Sequence, residues 1–311
     1  MSEVFSYRNG LQLSASPCSS IVRGKIWGIF AKRHVYTYTN NTIFYDIVED
    51  MLLFLGQPCE MKTHLMDHSR NIQALKQYVL EDAPWYGVFD FVEQYLYSQR
   101  PPKWVRTGVA IVDASMLYQR EYGEYLDLVD EIDNILTENH TGYGIVEGHV
   151  VPMGTGEDFN EVKEALKVAP NHVQVSIQKA VALLSLRPQP DNNNAIKEII
   201  TATESLCCTI AKEWGATQAN TLGDALNYIT LASDAHPYIR MHSALKKAIG
   251  NLYGYTSDEN GIRHGGTTFV EADTDEARFM LTTCSAIINL LIGKYRALQS
   301  ATVSSSGEDC Q

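Results

Sequence analysis

The segment TSDENGIRHGGTTF, residues 256–269, places Arg263 and His264 side by side in a polar, glycine-rich stretch. Arginine is always charged and grips a phosphate with two parallel hydrogen bonds, and histidine is the side chain whose ordinary pKa allows proton exchange near neutrality. Phosphodiester cleavage without a metal needs that pair of groups. Gly261, Gly265 and Gly266 permit positive φ and close approach of a ligand to the backbone. The same residues also fit a structural loop in which Arg263 caps a helix end and His264 satisfies a carbonyl.

Other combinations are poorer in chemistry. Arg240 and His242 form a second Arg/His pair, but two residues apart on a helix they point roughly 200° away from each other. His64 and His68 have the i, i+4 spacing that lets two imidazoles meet one metal, with Asp67 between them, yet no HExxH pattern and no third partner accompany them. No catalytic metal and no cofactor are expected. GYGIVEG (142–148) lacks the following helix and the Lys-Ser/Thr of a phosphate loop, and reads as a hairpin. Trp85, Phe89, Phe91, Tyr95 and Tyr97, interleaved with Val and Leu, read as core or interface.

These groups must be positioned by a chain of 311 residues, long enough for two domains. With 45% hydrophobic and 20% charged residues it has a globular composition. The longest apolar runs, Met51 to Leu55 and Ile287 to Ile292, fall far short of the roughly 20 residues that span a bilayer. The start MSEVFSYRNG has no basic segment followed by an apolar block, so no membrane partner is expected and the cytoplasm is the expected location. Cys18, Cys59, Cys207, Cys208, Cys284 and Cys310 lack zinc-ribbon spacing and read as reduced thiols. The net charge of −12 excludes a general polyanion-coating protein. That acidity is local, since residues 121–165 hold twelve acids against Lys163 alone, which leaves room for a compact polyanion site elsewhere.

Apolar residues recur at three and four along most of the chain, so the fold is expected to be mainly α. Helices are predicted over 43–55, 85–99 and about 108–137, then a β-hairpin with Ile145–Val146 returning through His149–Val151. Two more follow over about 158–168 and 171–186. The stretch RPQPDNNN (187–194) carries the strongest linker and helix-start signal, and the domain boundary is placed there. Beyond it Ile196, Ile199, Ile200, Thr203, Leu206, Cys207 and Ile210 make one helical face, followed by helices over about 220–232 and 237–253. The last helix, 274–298, has a main apolar seam and also presents Phe279, Ile287 and Leu290 off it. The tail 301–311 is expected to be disordered.

Four helices with an Arg/His motif before the last one resemble the HEPN superfamily, through NNAIKEIITATESLCC (193–208), NLYGYTSDENGIRHG (251–265) and EARFMLTTCSAIINLLIGK (276–294). The preceding region is similar to the AbiJ amino-terminal domain of abortive-infection proteins, through FSYRNG (5–10), VFDFVEQYL (88–96) and TGYGIVEGHVVPM (141–153). The resemblance implies an AbiJ-like sensor or interaction region over 1–187 and a HEPN-like four-helix ribonuclease domain over 188–300. It further implies a metal-independent endoribonuclease of an anti-phage system, in which Arg263 holds the scissile phosphate of RNA and His264 is the acid/base. Lys197 and Glu198 fall in the part similar to the superfamily's first helix, where Glu198 would orient His264 or Arg263; a solvated helical face is the other reading. The implied assembly is a homodimer or a higher even oligomer whose motifs share a cleft, with an antitoxin or second defence subunit as a further partner. The alternative from another class is a non-catalytic HEPN-like module for dimerisation or RNA binding.

Overall fold

In the computed structural model the described residues are 17–35, 42–59, 65–101, 111–153, 156–216, 218–235, 241–257 and 271–306. Their architecture is mainly α, as the periodicity predicts, with a single two-stranded antiparallel hairpin among them. The chain divides into two compact units, Met1–Val151 and Pro152–Gln311.

The first unit starts with α1 (Ser20–Phe30), whose cap Ser19 accepts from the Val22 N–H at 3.4 Å. It buries Val22, Ile26, Ile29 and Phe30, then widens into a π-helical turn over Ala31–Val35. Helix α2 is Thr42–Phe54, and α3 (Leu65–Gln77) likewise ends in a π turn, Tyr78–Asp82. The guanidinium of Arg23 on α1 ties these parts together. It donates to the carbonyls of Cys18 (3.2 Å), just before α1, and of Val79 (3.0 Å) and Ala83 (2.6 Å), in and just after the second π turn.

The centre of this unit is α4 (Trp85–Gln99), whose Val88, Phe89, Phe91, Val92, Tyr95 and Leu96 are buried. Phe30 meets Phe91 and Tyr95 edge-on, with ring centroids 5.5 and 5.2 Å apart. The aromatic stripe is therefore core for Phe89, Phe91 and Tyr95, while Tyr97 points to solvent. Helix α5 (Ile111–Glu138) adds Tyr125, Leu128, Ile132 and Leu136 at steps of three and four, and Glu121, Glu124, Asp127, Asp130 and Glu138 face water.

The hairpin pairs β1 (Tyr143–Val146) with β2 (His149–Pro152) through Glu147 and Gly148, both at positive φ, as a type I′ turn requires. Two backbone N–H groups of the hairpin find helix carboxylates. Ile145 donates to Asp133 Oδ1 of α5 at 2.8 Å, and Val150 donates to Glu93 Oε1 of α4 at 2.7 Å. Carboxylates of two helices thus satisfy donors that a buried pair of strands would leave orphaned.

The second unit contains α6 (Gly156–Val168), α7 (Asn171–Leu184), α8 (Asn192–Glu213), α9 (Leu222–Ala235), α10 (Ser243–Ser257) and α11 (Thr274–Ser306). Helix α7 buries Val173, Ile177, Ala180, Val181 and Leu184 and packs against α8. The division into units therefore falls between Val151 and Pro152, not at the 187/188 boundary the linker signal predicts. RPQPDNNN is a turn joining two packed helices, and the same proline and Asx residues serve a helix start in either setting.

Two further expectations are corrected. The final helix continues through Ser306, so residues 301–306 are helical where disorder is expected from composition. Ile287 is buried, whereas Phe279 and Leu290, expected beside it off the main seam, are exposed at 59% and 37%. Over Thr274–Ala297 α11 is long and apolar enough to cross a membrane by length and composition, and half of that stretch is buried within its bundle.

Candidate functional site

Arg263 and His264 lie outside the described residues, as do Arg240 and His64. What the structure describes is the frame on either side of the 258–270 segment. On its amino-terminal side, Tyr253 of α10 donates its hydroxyl to Glu204 Oε1 of α8 at 3.1 Å. The same oxygen accepts the Leu222 N–H at 3.1 Å, so one carboxylate holds α10 and the first residue of α9. This acceptor at a helix N-terminus also opposes the positive end of the α9 dipole.

On its carboxy-terminal side the chain returns to the start of α8. The Ala272 N–H donates to Asn193 Oδ1 at 3.1 Å, and Asn192 Nδ2 donates to the Ala272 carbonyl at 3.0 Å and Thr274 Oγ1 at 3.4 Å. Both flanks are thus fastened to α8. Asn193, Lys197 and Glu204 are separated by four and seven residues, which at 100° per residue places them within roughly 40° of one line along the helix. Lys197 sits between the two anchors, half-buried, with its Nζ donating to Asn194 Oδ1 at 3.4 Å. Glu198 is the next residue and half-buried too. The structure therefore brings Lys197 and the two loop flanks onto one side of α8, with Glu198 beside it.

The return point borders a cleft of about 530 Å³ lined by residues 189–193 and 271–274. Its charge comes from Asp191, Glu271 and Asp273, two of which serve as helix caps. Asp191 accepts from the Asn194 N–H at 3.2 Å at the start of α8. Asp273 accepts from the Glu276 N–H at 2.8 Å while Glu276 accepts from the Asp273 N–H at 3.2 Å, a reciprocal capping box that starts α11. These acids neutralise both helix dipoles, so the cleft on its own does not attract a phosphate.

The remaining candidates have local roles. His242 accepts the Ala244 N–H on Nδ1 at 3.2 Å and caps the start of α10. His68 lies on α3, and its side chain is outside the described ones. Among the described residues no group of three His, Cys, Asp or Glu side chains is arranged to hold a metal. Among the described residues Cys18, Cys59, Cys207, Cys208 and Cys284 form no disulfide. Burial pushes Cys18 and Cys284 up to about 11 and Cys207 higher still, so none of the three is a ready nucleophile. His34 shares a hydrogen bond with the Tyr95 hydroxyl at 2.8 Å, and burial followed by the nearby Arg33 charge pulls it down to about 4.

Glu204, Tyr253 and Asn193 are the residues that sequence reasoning did not single out. Glu204 is the one charged residue of TATESLCC (201–208), and that carboxylate is the available signal. Asn193 is legible as a helix-start residue, but its partner lies 79 residues away.

Fold and frame together define a mainly helical protein of two units, an aromatic-cored unit with a carboxylate-stapled hairpin and a bundle in which Tyr253 and Ala272, on either side of residues 258–270, are hydrogen-bonded to α8. The model of the AbiJ N-terminal domain 4 family matches residues 3–168, just over half of the chain, and the chain belongs to that family. No curated protein and no solved structure matches it.

Proposed function

We propose that this protein is a cytoplasmic anti-phage abortive-infection effector whose second unit is a HEPN-like, metal-independent endoribonuclease working as a homodimer or a higher even oligomer. Membership of the AbiJ N-terminal domain family supports the defence role. The observation that carries the enzymatic reading is the Arg263–His264 segment, inserted between α10 and α11 with both flanks hydrogen-bonded to α8. In this reading Arg263 binds the scissile phosphate of RNA. His264 takes the proton of the ribose 2′-hydroxyl as its oxygen attacks phosphorus; the P–O5′ bond breaks, and the products are a 2′,3′-cyclic phosphate and a 5′-hydroxyl. Proton transfer of that kind contributes about 10²–10⁴-fold, with charge stabilisation by the guanidinium in addition. Lys197 and Glu198 support the site from α8, Lys197 as a second cation near the phosphate.

Exposed Phe279 and Leu290 lie eleven residues apart on α11 and so share a face, which supports pairing of two copies. A second reading has its own observation. The HEPN motif ordinarily separates its Arg and His by several residues, and here they are consecutive. In that reading the bundle is a non-catalytic dimerisation or RNA-binding module, and the defence effect lies with an antitoxin-type or second defence subunit.

Incubation of the purified protein with RNA in excess chelator separates the two. Cleavage products ending in cyclic phosphate, lost in His264→Ala, are expected. RNA binding without cleavage, unchanged in His264→Ala, overturns the enzymatic reading in favour of the second. Loss of cleavage in chelator with recovery on adding Mg²⁺ overturns the metal-independent mechanism.

A further inference from the structure

Helix α11 turns two sides toward its own bundle and leaves a third uncovered. Met280, Leu281, Cys284 and Ile288 are buried in the bundle it forms with α8 and α6, and Asn289 donates to the Glu161 carboxylate of α6 at 2.8 Å. The uncovered side carries Phe279, Thr283, Ala286, Leu290, Gly293 and Ala297. Steps of four and three alternate along it without a break, which is the period of a coiled-coil seam. Phe279, Leu290, Gly293 and Ala297 are exposed, Thr283 and Ala286 half-buried, and none of the six is charged over about 27 Å of helix. A seam of that kind is one half of a helix pair.

The charges beside the seam decide its orientation. Asp275 and Arg296 are exposed and stand on one flank, at equivalent positions of successive heptads. In an antiparallel pair like flanks meet, so Asp275 faces the partner's Arg296, and two-fold symmetry makes that contact twice. The same register sets Phe279 against the partner's Leu290 and Thr283 against the partner's Ala286. The two large exposed side chains therefore meet each other, and the small ones meet at the centre. In a parallel pair unlike flanks meet and both ion pairs are lost. Glu276, one step before Phe279 on the seam line, would then face the partner's Glu276, a like-charge contact that the antiparallel order avoids.

We propose that the uncovered seam of α11 pairs antiparallel with that of a second copy, about a two-fold axis between Thr283 and Ala286. The two starts of α11 then stand roughly 30 Å apart along the helices, and the Arg263–His264 segments belong to opposite ends of the pair. This deepens the homodimer of the reading above without resting on its chemistry, and it gives two separate sites where the resemblance implies one shared cleft. Each α11 runs on to Ser306, past the level of the partner's Ala272, so its last turns border the flank from which the partner's segment leaves.

Analytical ultracentrifugation of the full chain should show a dimer at micromolar concentration. Phe279→Glu, at a residue its own bundle leaves 59% exposed, should raise the dissociation constant by about 100-fold or more with an unchanged circular dichroism spectrum. Asp275→Arg and Arg296→Asp should each raise it by about fivefold, and the two together should return it to within about twofold of wild type. Orientation is read by oxidising Phe279→Cys mixed with Leu290→Cys: a disulfide between the two engineered positions, identified by peptide mass spectrometry, should form in the mixture and in neither variant alone. Self-linking of Phe279→Cys overturns the antiparallel order. A wild-type dimer unmoved by Phe279→Glu overturns the seam and leaves the homodimer to another face. A wild-type monomer overturns the pairing, including one that sediments with phosphatidylcholine–phosphatidylglycerol vesicles through Phe279. RNA cleavage by such a monomer leaves the enzymatic reading standing, and a dimer of this order that leaves RNA intact does the reverse.

Discussion

Glu204 is a single carboxylate oxygen with two donors, and removing it should loosen the frame of the 258–270 segment at one end. Glu204→Ala strips the acceptor from the Leu222 N–H and from the Tyr253 hydroxyl, each at 3.1 Å. Hydrogen bonds to a charged group contribute about 1.5–3 kcal/mol each, and the N–H at the start of α9 can recover part of that from water. Relief from holding a part-buried carboxylate offsets about a third, by the same scale of desolvation. A net loss of about 2–3 kcal/mol in the local stability of α9 and α10 follows. Glu204→Gln keeps an acceptor oxygen and should cost under about 1 kcal/mol; Tyr253→Phe removes one donor and should cost about 1 kcal/mol.

Amide exchange of peptides from the first turn of α9 and from α10 reads these changes locally, where a global unfolding curve of a two-unit chain is not two-state. A loss of 2–3 kcal/mol is about 30-fold to 150-fold in protection, since about 1.4 kcal/mol is tenfold. The double-mutant cycle of Glu204→Ala with Tyr253→Phe should give a coupling near 1 kcal/mol. Protection of α9 and α10 within about twofold of wild type in Glu204→Ala, or a coupling near zero, would falsify the anchoring role. In the ribonuclease reading the same variant should lower cleavage by about tenfold or more while Glu204→Gln keeps most of it, because misplacement of a positioned group is costly.

Acid should weaken the first unit through His34, held near 4 against an ordinary 6.5. The folded state resists protonation that the unfolded chain accepts, so this stabilisation is complete above pH 6.5 and is lost as pH falls toward 4; discounted for partial exposure it is roughly 1–2 kcal/mol. Urea titrations at several pH values should show the slope, and His34→Gln should flatten it; an unchanged slope refutes the assignment. At Gly87 an added Cβ would stand 2.6 Å from the Tyr78 hydroxyl, so Gly87→Ala should cost about 1–3 kcal/mol, with Tyr78→Phe restoring at least half in the double variant. Equal stability of the single and double variants in thermal unfolding would count against that clash. Native protein treated with iodoacetamide should leave Cys207 and Cys284 unmodified while urea exposes both, as peptide mass spectrometry reads directly.

The helices that were legible from the sequence are those whose apolar stripe is wide and unbroken. Residues 85–99 and 171–184 show steps of three and four that nothing else explains, and the hairpin shows its turn in Glu147-Gly148. Helices α1 and α3 were not legible. SIVRGKIWGIF has little contrast between its faces and is interrupted by two glycines, and LMDHSRNIQALKQ has the contrast but few large apolar residues to mark it. Their ends depend on Arg23, whose acceptors at Val79 and Ala83 are 56 and 60 residues away. The candidate site was legible as a composition, an Arg and a His among glycines. Its frame was not, because the bonds that fasten it join residues 49 and 79 apart and involve a Glu and an Asn that local pattern assigns to a helical face and a cap.

The two borders in this chain mark different physical facts. The family border after Val168 marks which residues are kept together as one segment, and the packing border before Pro152 marks where buried contacts thin out. Helix α6 lies between them. By packing it belongs to the second bundle, where Val162, Ala165 and Leu166 are buried at steps of three and one, while the family match counts it with the residues that precede it.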